Sequence, residues 1–261
     1  MIAQTQARVE TRQELVTGWR KFLRDVASVF EIRFILLRRS WYWYLMGTLV
    51  FPVGMFYFAS ALAPDNPEAI RRAMVGTIVF GATMLTTAML AQNVLMDRFQ
   101  HRLKLIITMP VSRVSYAFGI ICFGAIQTVS AIIILLGVAL AAGVDLSFTW
   151  WFLPIALTVL LTMSGLTIII VSYAPSPEVG SIMSNLLGIF MALVSPVYFP
   201  MEQAPALMKA FGWVSPLRYA ADGMMKSLSG RTDVLLEIVV LGMFASVCMG
   251  IGLWKLRWRE S

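Results

Sequence analysis

One histidine and two cysteines are all the imidazole and thiol groups that the 261 residues offer. His101 stands alone, and Cys122 and Cys248 sit in apolar runs far apart in sequence, so neither a metal-ligand cluster nor a disulfide framework can be assembled. Both cysteines are expected to be structural. Charge is scarce too, at 13% of residues, and no stretch has the G-x-x-x-x-G-K-[ST] pattern whose backbone amides cradle ATP phosphates. The first 30 residues lack the apolar core and small-residue cleavage site of a secretory leader, so the N-terminus is expected to remain in the mature protein.

Apolar residues fill the space that charge leaves. They make up 59% of the chain, and mean hydropathy is +0.77, beyond what a water-soluble domain can hide. A bilayer core of ~30 Å needs about 20 apolar helical residues. Six runs approach or exceed that length: Trp41–Leu62, Ala73–Leu95, Val114–Ala142, Trp150–Tyr173, Val179–Tyr198 and Val234–Trp254. They are apolar on all sides, which argues against a soluble bundle, and they are expected to carry no Asp, Glu, Lys, Arg or His within the membrane. Trp41, Tyr42, Trp43, Tyr44, Trp150, Trp151 and Trp254 lie at their ends, where aromatic rings favour the headgroup region.

The excess of basic residues, a formal charge of +7, sits beside these runs rather than in aromatic-interleaved patches suited to nucleic acid. With the N-terminus inside, internal segments hold eight Lys and Arg in residues 1–40, four in the second connection (Arg98, Arg102, Lys104, Arg113) and three at the end (Lys255, Arg257, Arg259). The external connections hold Arg71, Arg72, Lys209, Arg218, Lys226 and Arg231, so the split is fifteen to six. Both termini are therefore expected in the cytoplasm. Before the first run, Leu15, Trp19, Phe22, Leu23, Val26, Val29 and Phe30 recur at helical spacing, with Arg20, Lys21, Arg24, Asp25 and Glu31 largely opposite. A helix in the membrane interface fits this pattern, as does one packed on a partner or on the rest of the chain. The chain divides into an N-terminal amphipathic segment (1–40), a six-helix membrane domain (41–254) and a short cytoplasmic tail (255–261).

Two connections hold the candidate functional residues. In the loop 96–113, Phe99, Leu103 and Ile106 are spaced along one helical face among Arg98, Arg102 and Lys104, and Pro110 ends the helix. Such a helix offers apolar knobs and basic flanks to a groove on a soluble partner; a loop that only fixes topology has the same composition. In the region 196–232, Pro196, Pro200, Pro205 and Pro216 divide a segment too apolar for a solvated loop. Broken helices dipping back into the outer leaflet are expected there, covered by protein or lining a cavity. Phe199, Pro200, Glu202, Pro205, Pro216 and Tyr219 are the candidate residues of this external gate.

The N-terminal amphipathic helix, the six runs, the Met109-Pro110-Val111-Ser112-Arg113 ending of the second connection and the segments Phe199–Pro205 and Ser215–Tyr219 together resemble the permease subunits of type-2 ATP-binding-cassette exporters. The resemblance covers essentially the whole chain and looks closest to bacterial antibiotic or drug-resistance permeases. It implies an all-α polytopic protein of the bacterial cytoplasmic membrane, completed by a second copy or a related permease and by two ATP-binding subunits that hold ATP and magnesium. Phe99, Arg102, Leu103 and Ile106 would couple it to the ATPase. The chain itself would be no enzyme and hold no cofactor, its cargo being an amphiphilic or hydrophobic drug, antibiotic or lipid. A lipid-linked glycan is the alternative cargo. An integral membrane lipid-modifying enzyme is the alternative class, although the clustered acids, histidines or metal ligands such chemistry requires are missing from the runs.

Overall fold

The computed structural model describes residues 18–39, 41–61, 66–99, 112–198, 201 and 204–255. Its elements are α1 (Trp19–Arg39), α2 (Trp41–Ala61), α3 (Pro67–Phe99), α4 (Arg113–Ala141), α5 (Phe152–Tyr173), α6 (Pro177–Val194), α7 (Ala206–Gly212), α8 (Pro216–Leu228) and α9 (Leu235–Lys255). Among the described residues, extended pairing is limited to one isolated bridge between Ser147 and Ser229. Among the described residues five helices, α3, α4, α5, α6 and α9, are long and apolar enough to cross a membrane. The first run also forms a helix, α2, which is uncharged and has Pro52 in its interior.

Local chemistry sets the helix boundaries. Asn66 Oδ1 accepts from the backbone N–H groups of Glu68 and Ala69, each at 3.1 Å, and Pro67 needs no partner as the first helical residue, so α3 starts well before the apolar run. Ser112 Oγ accepts from Ser115 N–H at 3.0 Å to open α4, and Ser176 does the same for Val179 at the head of α6. α6 stops at Val194 rather than Tyr198 because Pro196 drives Ser195 into extended backbone (φ −83°, ψ 137°). α3 continues to Phe99; from Arg72 to Asp97 it rises about 38 Å at 1.5 Å per residue. That exceeds a ~30 Å hydrocarbon core and leaves charged residues near both ends.

Packing runs in two clusters. Toward one end, Met74, Ile78, Phe56, Ile155, Met163, Leu217, Met224 and Leu228 are fully buried together. Toward the other, Val29, Leu95, Tyr116, Ile120, Ile168 and Val171 close the core. α5 and α9 cross closely: a Cβ on Gly165 would lie 2.5 Å from the Cys248 carbonyl carbon, so backbone meets backbone there.

α1 lies along α4. Phe22 meets Phe118 edge-on at 5.8 Å, Phe30 meets Phe123 at 6.1 Å, and Val29 fills the space over Gly119. Packing on the rest of the chain, one of the arrangements open to this segment, therefore describes the Phe22–Val29 face. Asp25, expected on the polar side, is buried, while Trp19 and Leu23 of the expected apolar set are exposed.

Candidate functional site

The helix alternation gathers polar groups at two opposite ends of the bundle, here called the α1 end and the α8 end.

At the α1 end, the Arg33 guanidinium donates through Nη2 to Asp97 Oδ2 and through Nη1 to Asn93 Oδ1 at 3.1 Å. Tyr116 Oη donates to the same Asp97 oxygen at 2.7 Å. Arg33 and Asp97 are both buried, so the pair is stable only because the carboxylate collects several donors. Three helices, α1, α3 and α4, meet at this carboxylate, at the start of the loop 96–113. Arg98, the next residue, turns the other way: its Nη1 donates to the Val171 and Ala174 carbonyls, both at 3.1 Å. Those carbonyls end α5, where the helix leaves its last C=O groups unsatisfied. The guanidinium also lies 5.1 Å from the Phe99 ring centre. Lys255, at the end of α9, sits over the Tyr173 ring at 5.8 Å, so the C-terminal end of α9 joins the same end of the bundle.

Of the candidate coupling residues, Phe99 is half-buried at the end of α3; Arg102, Leu103 and Ile106 lie outside the described residues. Arg98, one of the basic flanks of that loop, caps the end of α5. Asn93 makes an interhelical hydrogen bond with Arg33, whereas Gln92 is exposed.

At the α8 end, the region 196–232 forms two short helices separated by Trp213, Val214 and Ser215. α8 is wedged among α3, α5 and α9, with Leu217, Ala220, Ala221, Met224 and Leu228 fully buried. Its neighbour Ser215 turns its hydroxyl onto Ser195 rather than onto the α8 amides. The connection between α4 and α5 is stitched to α8 by backbone bonds: Ser147 N–H to Leu228 O and Thr149 N–H to Ser227 O at 3.1 Å, and Gly230 N–H to Ser147 O at 3.0 Å. Gly230 has φ +74°, a backbone region open to glycine at little cost.

Ion pairs link α8 to its neighbours. Arg72 of α3 donates to Asp222 Oδ1 at 2.7 Å, and Arg218, one turn before Asp222, holds its Nε 3.5 Å from Oδ2. Lys226 donates to Glu237 Oε1 at 2.7 Å. Glu237 overturns the expectation of charge-free runs: it lies in the last run, 5% exposed, and survives there because α8 brings an ammonium to it. Outside the spans, Arg231 forms a fork on Asp233 at 2.6 and 2.9 Å and holds that carboxyl below the ordinary carboxylate range.

Among the candidate gate residues, Phe199, Pro200 and Glu202 lie outside the described residues. Pro205 is exposed at the head of α7, and Pro216 is buried as the first residue of α8. Tyr219 donates its hydroxyl to the Trp213 carbonyl at 3.1 Å and so fixes the bend between the two helices. Sequence reasoning missed Arg33, Asp97, Tyr116, Asp222 and Glu237. For Asp97 and Glu237 the signal was an acid at the edge of an apolar run, where an unpaired charge would not be stable.

Among the described residues no group of His, Cys, Asp and Glu could hold a metal ion.

Comparison with known proteins agrees with this architecture. The family described as "ABC-2 type transporter" matches residues 25–229, from α1 through α8. Over 202 residues the chain is 28% identical to the linearmycin resistance permease protein LnrN of Bacillus subtilis (strain 168), which covers 74% of this chain and 51% of that protein. The chain thus spans about half the length of the curated relative it matches. A match over most of the chain, including both polar ends, shows that the chain belongs to the ABC-2 type transporter family, as a multi-pass permease related to an antibiotic-resistance permease.

Proposed function

We propose that the chain is the membrane-spanning half of an ATP-driven exporter for an amphiphilic or hydrophobic compound, working with a separate ATP-binding subunit in the bacterial cytoplasmic membrane. The observation that carries the reading is the family match running from α1 through α8, because it includes the helix leading into the coupling loop and the broken helices at the opposite end. The relative's name, a linearmycin resistance permease, supports a drug or antibiotic as cargo. Phe99, Arg102, Leu103 and Ile106 form the seat on the ATPase, and the α7–α8 pair covers the outer end of the pathway. A second permease completes the pore, each half bringing six spans with α2 among them. ATP and magnesium stay on the partner, since this sequence has no phosphate-binding loop.

The test is to purify the chain from its native membrane in mild detergent, identify the ATP-binding subunit that accompanies it, and reconstitute both in proteoliposomes. Dye or drug transport is expected only with both chains together, and ATP hydrolysis only where the ATP-binding subunit is present. Hydrolysis by the isolated permease, or transport indifferent to ATP, would defeat the reading. Cargo release only with a lipid-linked glycan would select the alternative substrate class.

A further inference from the structure

We infer that Lys255, Tyr173 and Trp254 form a binding site at the α1 end for the headgroup of an anionic phospholipid. Lys255 carries an ammonium with rings around it and no acceptor. Its Nζ lies 4.5 Å from the Trp254 ring centre and 5.8 Å from that of Tyr173, and among the described residues no carboxylate or carbonyl takes its protons. Aromatic faces steady the cation but leave its donors open. The Tyr173 hydroxyl likewise has no hydrogen-bond partner among the described residues. These groups can be reached: Tyr173 is 58% exposed, Trp254 73%, and Lys255 is only half-buried. Arg98 adds a second basic group next door, because its guanidinium caps the carbonyl of Ala174, the residue after Tyr173. That cap also covers the negative end of α5, which would otherwise repel an anion. Asp97, beside Arg98 in sequence, is taken up by Arg33 and Tyr116, and Glu178 on the adjoining connection forms no ion pair with Lys255.

An apolar wall leads away from this cluster. Val247 and Ile251 are exposed on α9 and lie two turns and one turn before Lys255, on the same face of the helix. An acyl chain fits along that stripe, and a phosphate at its head meets the Lys255 ammonium and the Tyr173 hydroxyl. A phospholipid has both parts in one molecule. Arg257 and Arg259, which follow in the sequence, add to the positive charge and favour an anionic headgroup. A choline headgroup would instead bring a cation of its own against Lys255, so the site selects phosphatidylglycerol over phosphatidylcholine. The inference concerns binding alone and does not depend on transport.

Delipidated full-length permease in neutral detergent provides the test, with phosphatidylglycerol and phosphatidylcholine as probes. Binding is read by native mass spectrometry and by quenching of tryptophan fluorescence with the same lipids brominated in one acyl chain. Phosphatidylglycerol is expected to be retained in preference to phosphatidylcholine and to quench a component of the emission that Trp254→Phe removes. Lys255→Gln is expected to lower phosphatidylglycerol retention several-fold while leaving Tm in lipid-free detergent unchanged. Lys255→Arg should keep most of the retention, Tyr173→Phe should lose part of it, and Lys209→Gln, at the other end of the bundle, should leave it as it was. Equal retention of the two phospholipids by the unaltered chain would overturn the inference, whatever the folding of the variants, and leave the charge to an acidic protein partner. Equal phosphatidylglycerol retention and quenching in the unaltered chain and Lys255→Gln would overturn it too.

Discussion

Arg98 and Ala174 are 76 residues apart in sequence, yet the guanidinium of one donates to the carbonyl of the other at 3.1 Å. This bond joins the start of the loop 96–113 to the short connection Ala174-Pro175-Ser176-Pro177-Glu178. Arg98→Gln should leave the Ala174 carbonyl at the end of α5 short of a donor, while Val171 O keeps the Ala174 N–H at 3.3 Å, at a cost of about 1–3 kcal/mol. Lower Tm of the purified permease, with normal insertion into the membrane, is the expected result. An unchanged Tm would show that water caps α5 as well as Arg98 does.

Gly165 should tolerate no side chain, because its missing Cβ makes room for the Cys248–Met249 backbone of α9. Overpacking of this kind costs about 1–3 kcal/mol where neighbours can shift, and backbone shifts less readily than side chains. Gly165→Val should therefore lower Tm sharply. Gly250→Val, on α9 itself but with nothing within 4 Å, should not. Similar losses from both would mean that valine propensity rather than the crossing is responsible.

Much of the fold was legible because a bilayer core imposes one requirement on every crossing helix. Each of the six runs forms a helix, with ends displaced by a few residues where Asn66, Ser112, Ser176 and Pro196 act as start or stop signals. The break between α7 and α8 was legible from proline spacing. What sequence periodicity did not carry was partner choice. Asp25 and Asp97 look alike as acids flanking apolar residues, but only the folded chain shows that Arg33 and Tyr116 converge on Asp97. Glu237 was overlooked because one acid barely lowers the hydropathy of its run; its partner Lys226 lies eleven residues away across a turn.

Asp97 and Arg33 should behave as a coupled pair. Replacing Asp97 by alanine leaves a buried guanidinium without its carboxylate, at a cost of about 3–5 kcal/mol. Combining Asp97→Leu with Arg33→Met should cost much less than either single change, and Tyr116→Phe only about 1 kcal/mol. Additive losses in thermal or denaturant unfolding would show that the two residues act independently.

Topology can be read at the two polar ends. The fifteen-to-six split of basic residues predicts that the α8 end lies outside the cell and the α1 end inside. In a background lacking Cys122 and Cys248, a cysteine at the exposed Thr232 should react with an impermeant maleimide in intact cells. One at the exposed Pro175 should react only after permeabilisation. The opposite pattern would invert the whole assignment.

The last test concerns the proposed seat on the ATPase. Phe99 is half-buried beside Arg98, at the point where α3 leaves the bundle, so any movement of the loop 96–113 pulls directly on the helix that also holds Asp97. If Phe99, Leu103 and Ile106 enter a groove of the partner, each truncation to alanine removes burial of a large apolar side chain, about 1.5–3 kcal/mol apiece. The triple variant should then lose co-purifying ATPase and efflux far more than it loses abundance in the membrane. Arg102→Gln should weaken the complex more mildly, with an effect that shrinks as salt rises, because a flanking charge steers the partner more than it anchors it. Normal co-purification and efflux in the triple variant would make the loop a topogenic connector only. Coupling would then fall to the connection 174–178, which Arg98 already ties to α3, and the Arg98→Gln variant would be expected to uncouple hydrolysis from transport.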